Sequence, residues 1–157
     1  MTLGCKKPQI ILYLPNRPLM PDDGSQSIPD IIELNGNHWR KIFSIYAKIT
    51  CNDLDWREYR DSQLLNQKES ISFADQILAG NSCHLVAGKV NWLGICGVEN
   101  NPQQQGFEAI DDDDRLWKRG NVILCPYLDY RQFPNELVAT LVKVLIESKL
   151  LLPRPKL

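Results

Sequence analysis

Three short runs of this chain are apolar without alternation, and each stops at a proline or a glycine. They are Gln9-Ile10-Ile11-Leu12-Tyr13-Leu14 before Pro15, Cys83-His84-Leu85-Val86-Ala87 before Gly88, and Asn121-Val122-Ile123-Leu124-Cys125 before Pro126. A strand with one wet face alternates apolar and polar residues, whereas a strand covered on both faces reads as a continuous apolar run. Three such strands call for helices on both sides of a mostly parallel sheet, which excludes an all-helical bundle and an open antiparallel sheet. A weaker strand is predicted over residues 107–110.

Helical spacing fills the intervals. Trp39, Ile42, Phe43, Tyr46 and Ile49 recur three and four residues apart, predicting an amphipathic helix over residues 37–50. Trp56, Tyr59 and Leu64 mark a shorter one. Residues 70–78 are expected to form another, ended near Gly80. Residues 90–96 predict a short helix directly after the second strand. Pro134 is expected to open the last helix as a first-turn proline, with Leu137, Val138, Leu141, Leu145 and Leu152 as its inward stripe. The expected architecture is a three-layer α/β/α sandwich with a mostly parallel central sheet, one domain over residues 1–157, with residues 153–157 as a flexible tail.

Composition narrows the function classes. The 157 residues carry 18 basic and 19 acidic side chains, a net charge of −1, which argues against a protein that simply coats nucleic acid. Four of the acids are consecutive, Asp111 to Asp114, and read as a solvated loop or helix entry. Without them the remaining 18 basic and 15 acidic groups give +3. No apolar run approaches the roughly 18 residues that span a bilayer, so no membrane association is expected. The first residues lack the apolar core of a secretion signal. Five cysteines (Cys5, Cys51, Cys83, Cys96 and Cys125) form no CxxC pair and read as reduced thiols of a cytoplasmic protein. With only His38 and His84 beside them, no metal centre is expected.

In open parallel α/β sheets, ligands bind outside the carboxyl ends of the strands. Each run here ends in a polar segment: Pro15-Asn16-Arg17-Pro18, Gly88-Lys89, and Pro126-Tyr127-Leu128-Asp129-Tyr130-Arg131-Gln132. If the strands are neighbours, Asn16, Arg17, Lys89, Tyr127, Asp129, Tyr130 and Arg131 could share one crevice. Cations with amide and phenol groups suit a phosphorylated or nucleobase ligand. Each residue also reads as an ordinary turn or surface residue. Asn16, held between two prolines, could orient a water or a base edge, and Asp129 is a candidate general base. Gly88-Lys89 is a fragment of a phosphate loop without flanking glycines or Ser/Thr, so a Walker-type nucleotide site is not expected. Asn37, His38, Arg40 and Lys41 open a helix with no acid between residues 36 and 50, a face that could touch phosphate or simply be solvated.

Together these segments resemble the uracil-DNA glycosylase-like superfamily, nearest its mismatch-specific G:T/U branch, as a divergent bacterial relative. The first run and Asn16 fall on that branch's Gly-Ile-Asn-Pro-Gly motif, residues 36–43 on its Asn-Arg-Phe-Trp-Lys helix start, Gly88-Lys89 on its Gly-Lys, and residues 125–130 on its last strand-end motif. The resemblance implies the superfamily's α/β scaffold and base flipping followed by N-glycosidic hydrolysis. Asn16 would then orient the hydrolytic water and Tyr127 hold the base-contacting position. Arg131, Gln132 and Phe133 would lie near the DNA-intercalating wedge. Both glycines of the first motif are replaced, no aromatic residue lies between Pro18 and Gly36, and the last motif has no Ser or Gly. These departures fall at catalysis and DNA contact.

The reading is a domain binding a nucleobase, nucleotide or DNA at the strand ends, without a cofactor, whose glycosylase chemistry is open. The alternative is a non-enzymatic interaction domain with Trp39, Trp56, Trp92 and Trp117 as core or interface anchors. A metal-dependent phosphate-sugar or nucleotide hydrolase using Asp129 and Lys89 is a third.

Overall fold

The computed structural model describes residues 2–51 and 55–151. In chain order the strands are β1 (Thr2–Gly4), β2 (Ile10–Tyr13), β3 (Glu69–Ser72), β4 (Cys83–Ala87), β5 (Glu108–Ala109), β6 (Trp117–Arg119) and β7 (Val122–Cys125). The α-helices are α1 (Ile28–Asn35), α2 (Asn37–Thr50), α3 (Trp56–Ser62), α4 (Lys89–Cys96) and α5 (Asn135–Glu147). Among the described residues no helix is long and apolar enough to cross a membrane.

The strands form one mixed sheet in the order β1-β3-β2-β4-β7-β6-β5. Its centre, β3-β2-β4-β7, is parallel, and its margins β1, β6 and β5 are antiparallel. The three continuous apolar runs are β2, β4 and β7, and every residue of each is buried. Alternate residues feed two clusters. Ile10, Leu12, Leu85, Ala87 and Ile123 pack with α1, α2 and α5, while Ile11, Tyr13, Val86 and Leu124 pack with Trp92, Phe107 and Trp117. Period-two geometry sends neighbouring side chains to opposite faces, so unbroken apolar sequence is what two buried faces require.

The fourth parallel strand corrects the expectation of a helix over residues 70–78. Glu69–Ser72 is β3, buried throughout although three of its four residues are polar. Distant partners meet its polar groups. The Tyr46 hydroxyl, 2.9 Å from Ser70 O and 3.2 Å from Ile10 O, is a donor shared between β3 and β2. The Glu69 carboxylate accepts from the Tyr59 hydroxyl and from the backbone N–H groups of Leu65 and Lys68. Local polarity argued against a buried strand, and tertiary hydrogen bonding overrode it.

The remaining differences are smaller. β1, α1 and β6 carry short signals that fall outside the sequence expectations. Pro134 is the cap residue before α5, not its first turn. The predicted stripe Leu137, Val138, Leu141 and Leu145 is buried, while Leu152 and the expected tail lie outside the described residues. Residues 111–114 sit in the turn between β5 and β6, where Asp111 accepts from the N–H groups of Asp113, Arg115 and Leu116.

Candidate functional site at the strand ends

β2 is connected to β3 through α1–α3 on one face of the sheet, and β4 leaves towards β7 through α4 on the other. Counting only the parallel strands, the spatial order is second, first, third, fourth, so the connections part between β2 and β4. That is the topological switch point at which a doubly wound sheet opens a crevice. Pairing of Tyr13 with Val86 and of Ala87 with Cys125 keeps the three ends level. Adjacent strands lie about 4.8 Å apart, so the segments after β2, β4 and β7 start within about 10 Å of one another.

The first turn of α4 locks this edge. Asn91, buried, donates from Nδ2 to the Tyr13 carbonyl at 3.1 Å. Trp92 Nε1 is shared between Val86 O at 3.1 Å and Cys125 O at 2.9 Å. Two consecutive side chains of one helix therefore read carbonyls on β2, β4 and β7, and they fix the start of α4, where Lys89 is exposed. Gly88 makes the turn possible. Its φ is +83°, a region side chains rarely adopt, and a Cβ there would stand 3.5 Å from the Tyr127 ring.

Tyr127 is the centre of the edge. Its ring stacks on His38 at 5.6 Å and 24°, and its hydroxyl lies 2.8 Å from His38 Nε2. Burial, and secondarily the Asp129 charge, raise the Tyr127 phenol above its ordinary pKa, so it stays protonated. The contact joins the α2 N-terminus to the end of β7, two segments separated by 89 residues. Phe73, immediately after β3, lies under the Arg17 guanidinium at 5.9 Å. An aromatic group therefore stands beside the β2 end although none occurs between Pro18 and Gly36.

Asn16, Arg17 and Lys89 are exposed, as are Asn37, His38 and Arg40 at the start of α2. Among the described residues the Asn16 amide makes no hydrogen bond within the protein, so both its donor and its acceptor face outward. Asp129 is engaged differently. Its Oδ1 accepts from the N–H groups of Arg131 (2.8 Å) and Gln132 (3.2 Å), and its Oδ2 from Gln132 Nε2 (3.3 Å). Burial alone would raise its pKa, but these donors and the Lys41 charge outweigh it and leave the carboxyl below its ordinary value. Asp129 thus anchors its own turn and is a weak proton acceptor. Tyr130 is exposed and lies between Lys41 (5.8 Å) and Lys48 (5.4 Å). Beside it a cleft of about 310 Å³ is lined by Lys48, Tyr130, Pro134 and Asn135.

One expectation is corrected outright. Phe133 has no exposed surface and packs with Leu128 and Leu137 in the core, so it cannot wedge into a duplex. Arg131 and Gln132 beside it are exposed. Asn91, Trp92 and Phe73 are the contributors that sequence reasoning missed. Asn91 and Trp92 stand one residue beyond Gly88-Lys89 and had that signal, whereas Phe73 was hidden inside the expected 70–78 helix. Among the described residues no group of three or more His, Cys, Asp or Glu is placed to hold a metal ion.

The chain belongs to a family of unknown function, DUF6942, whose match spans residues 1–146. No curated protein and no solved structure matches it.

Proposed function

We propose that this DUF6942 member is a three-layer α/β/α domain of the uracil-DNA glycosylase-like type, and that its strand-end crevice binds a nucleobase, nucleotide or nucleic acid. The observation that carries the reading is the switch point between β2 and β4, with Gly88-Lys89 at the end of β4 and the His38–Tyr127 stack against Gly88 at the end of β7. A paired imidazole and phenol offer a flat polarizable platform for a base. Arg17, Lys89, Arg40 and Arg131 supply cations for phosphate. The outward amide of Asn16 both donates and accepts, as reading a base edge or orienting a water requires. In a hydrolytic reaction Asn16 positions the attacking water, and Asp129 holds Tyr130 and Arg131 in place. Three of the five cysteines are buried, which suits a reducing cytoplasm.

The test combines thermal shift with binding and cleavage assays on nucleobases, nucleotides and oligonucleotides carrying uracil, hypoxanthine or mismatched thymine. The reading expects saturable stabilisation by at least one of these, weakened in Tyr127→Ala and His38→Ala. If a base is released, Asn16→Ala should slow its release without abolishing binding. No stabilisation and no cleavage by any of them overturns it.

A second reading, a non-enzymatic interaction domain, has one observation in its favour. Val90 and Leu93 on α4 are 75% and 52% exposed, an apolar pair beside the crevice. Failure of every nucleobase ligand, with stoichiometric co-purification of a protein lost in Val90→Ser/Leu93→Ser, would favour it.

A further inference from the structure

The opposite edge of the sheet carries a second concavity that plays no part in the reading above. A cleft of about 490 Å³ opens between the segments entering β2 and β4 and the end of α5. Its volume lies in the range of sites that hold small molecules. Lys6, Lys7 and Lys149 line it together with Asn81 and Ser82, and among the described residues no acidic one does. Acidic side chains slightly outnumber basic ones in the whole chain, so this local imbalance is a property of the cleft and not of the composition. Among the described residues the ion pairs are Arg60 with Asp61 and Arg115 with Asp111 and Asp113. None neutralises the three lysines.

Lys149 carries a second mark. Its φ is +60°, in the left-handed region, where it terminates α5 with Lys149 N–H bonded to Ile146 O and Leu150 N–H to Leu145 O. Glycine is the usual residue at such a position because it lacks the Cβ that makes this conformation unfavourable. A lysine there gives up local stability and places an ammonium on the cleft.

We propose that this amino-edge cleft is a binding site for a small, multiply charged phosphate ligand, such as the phosphate chain of a nucleotide-sized compound. Three like charges lining one cleft form a positive potential that an anion relieves. The choice of cation selects the anion. Ammonium groups are compact point charges that serve tetrahedral phosphate oxygens, whereas planar carboxylates are matched by the guanidinium fork, and among the described residues no arginine lines the cleft.

The test is a titration of the isotope-labelled full chain with pyrophosphate at low ionic strength, followed by backbone amide shifts and set against citrate as a carboxylate polyanion. Saturable shifts are expected at Gly80, Asn81 and Ser82, with weaker binding of citrate. Lys149→Gly should weaken pyrophosphate binding about fivefold, the loss of one exposed ion contact. Its ligand-free melting temperature should be unchanged or higher, because glycine suits the left-handed position. Lys6→Gln/Lys7→Gln tests the other two charges without touching the helix end and should weaken binding similarly. The proposal is overturned if the shifts do not saturate at about 1 mM pyrophosphate, if citrate binds as tightly, or if both variants bind like the unmodified chain.

Discussion

Removing one hydroxyl from the core should reveal how a buried polar pair is held between β2 and β4. Tyr13 has no exposed surface, and His84, diagonal to it on β4 and paired with Ile11, is 1% exposed. The Tyr13 hydroxyl lies 2.7 Å from His84 Nδ1 and accepts from Leu78 N–H at 3.0 Å. Burial favours the neutral imidazole, and its tautomer sets the direction of the contact: with the proton on Nε2 the hydroxyl donates to Nδ1. Tyr13→Phe keeps the ring and leaves Nδ1 and the Leu78 N–H without partners. Each orphaned buried group costs about 1–3 kcal/mol, and with Leu78 only partly buried a total of about 3 kcal/mol is expected. For a chain of this size that corresponds to a fall of about 6–12 °C in Tm, measurable by calorimetry or circular dichroism. Tyr13→Phe/His84→Phe removes both partners of the central bond and should recover part of the loss. A single-variant loss below about 0.5 kcal/mol, or strict additivity in the double variant, would refute the reasoning.

The same pair sets a pH dependence. Burial holds His84 below its ordinary value of 6.5. The unfolded chain therefore takes up a proton on this residue at a pH where the folded chain does not. The contribution is complete above about pH 6.5 and is lost as pH falls towards the folded value, with a slope of at most about 1.4 kcal/mol per pH unit. His84→Phe should flatten the urea-unfolding stability between pH 7 and pH 5 relative to the unmodified chain, and an unchanged slope would count against the neutral assignment. Trp92→Phe deletes a donor shared by two strand-end carbonyls and should cost about 2 kcal/mol in urea unfolding, with faster exchange at the α4 N-terminus. Gly88→Ala forces a side chain to a positive φ, for an expected loss of about 1–2 kcal/mol in urea unfolding. Asp129→Ala should raise amide exchange at Arg131 and Gln132 while leaving the core unchanged. Unmodified chain should show the same loosening as pH drops below the ordinary Asp value of 3.8, because a depressed carboxyl pKa stabilises above that value and stops doing so once protonated.

The parallel centre of the sheet was legible wherever burial on both faces left a continuous apolar run, and so were the helices whose spacing repeats over several turns. β3 was not, because Glu69, Ser70 and Ser72 look like surface residues until Tyr46, Tyr59 and the neighbouring backbone meet their polar atoms. The site shows the same division. Its strand-end residues stood out by type and position, but nothing local told the core residue Phe133 from the surface residues Arg131 and Gln132, or distinguished a free Asp129 from one bound to its own turn. Nor could any window of sequence reveal that His38 stacks on Tyr127 or that Phe73 lies under Arg17.

By itself, then, the sequence determined which segments are strands covered on both faces, where they stop, and that polar groups and cations follow each stop, because these depend on nearest-neighbour chemistry and periodicity. Tertiary structure alone decided the strand order, hence the switch point between β2 and β4, the engagement of each polar side chain, and the three lysines around the opposite cleft. Those properties depend on pairings between residues tens of positions apart, and the free energy that selects them comes from burial and hydrogen bonding that exist only once the chain has closed.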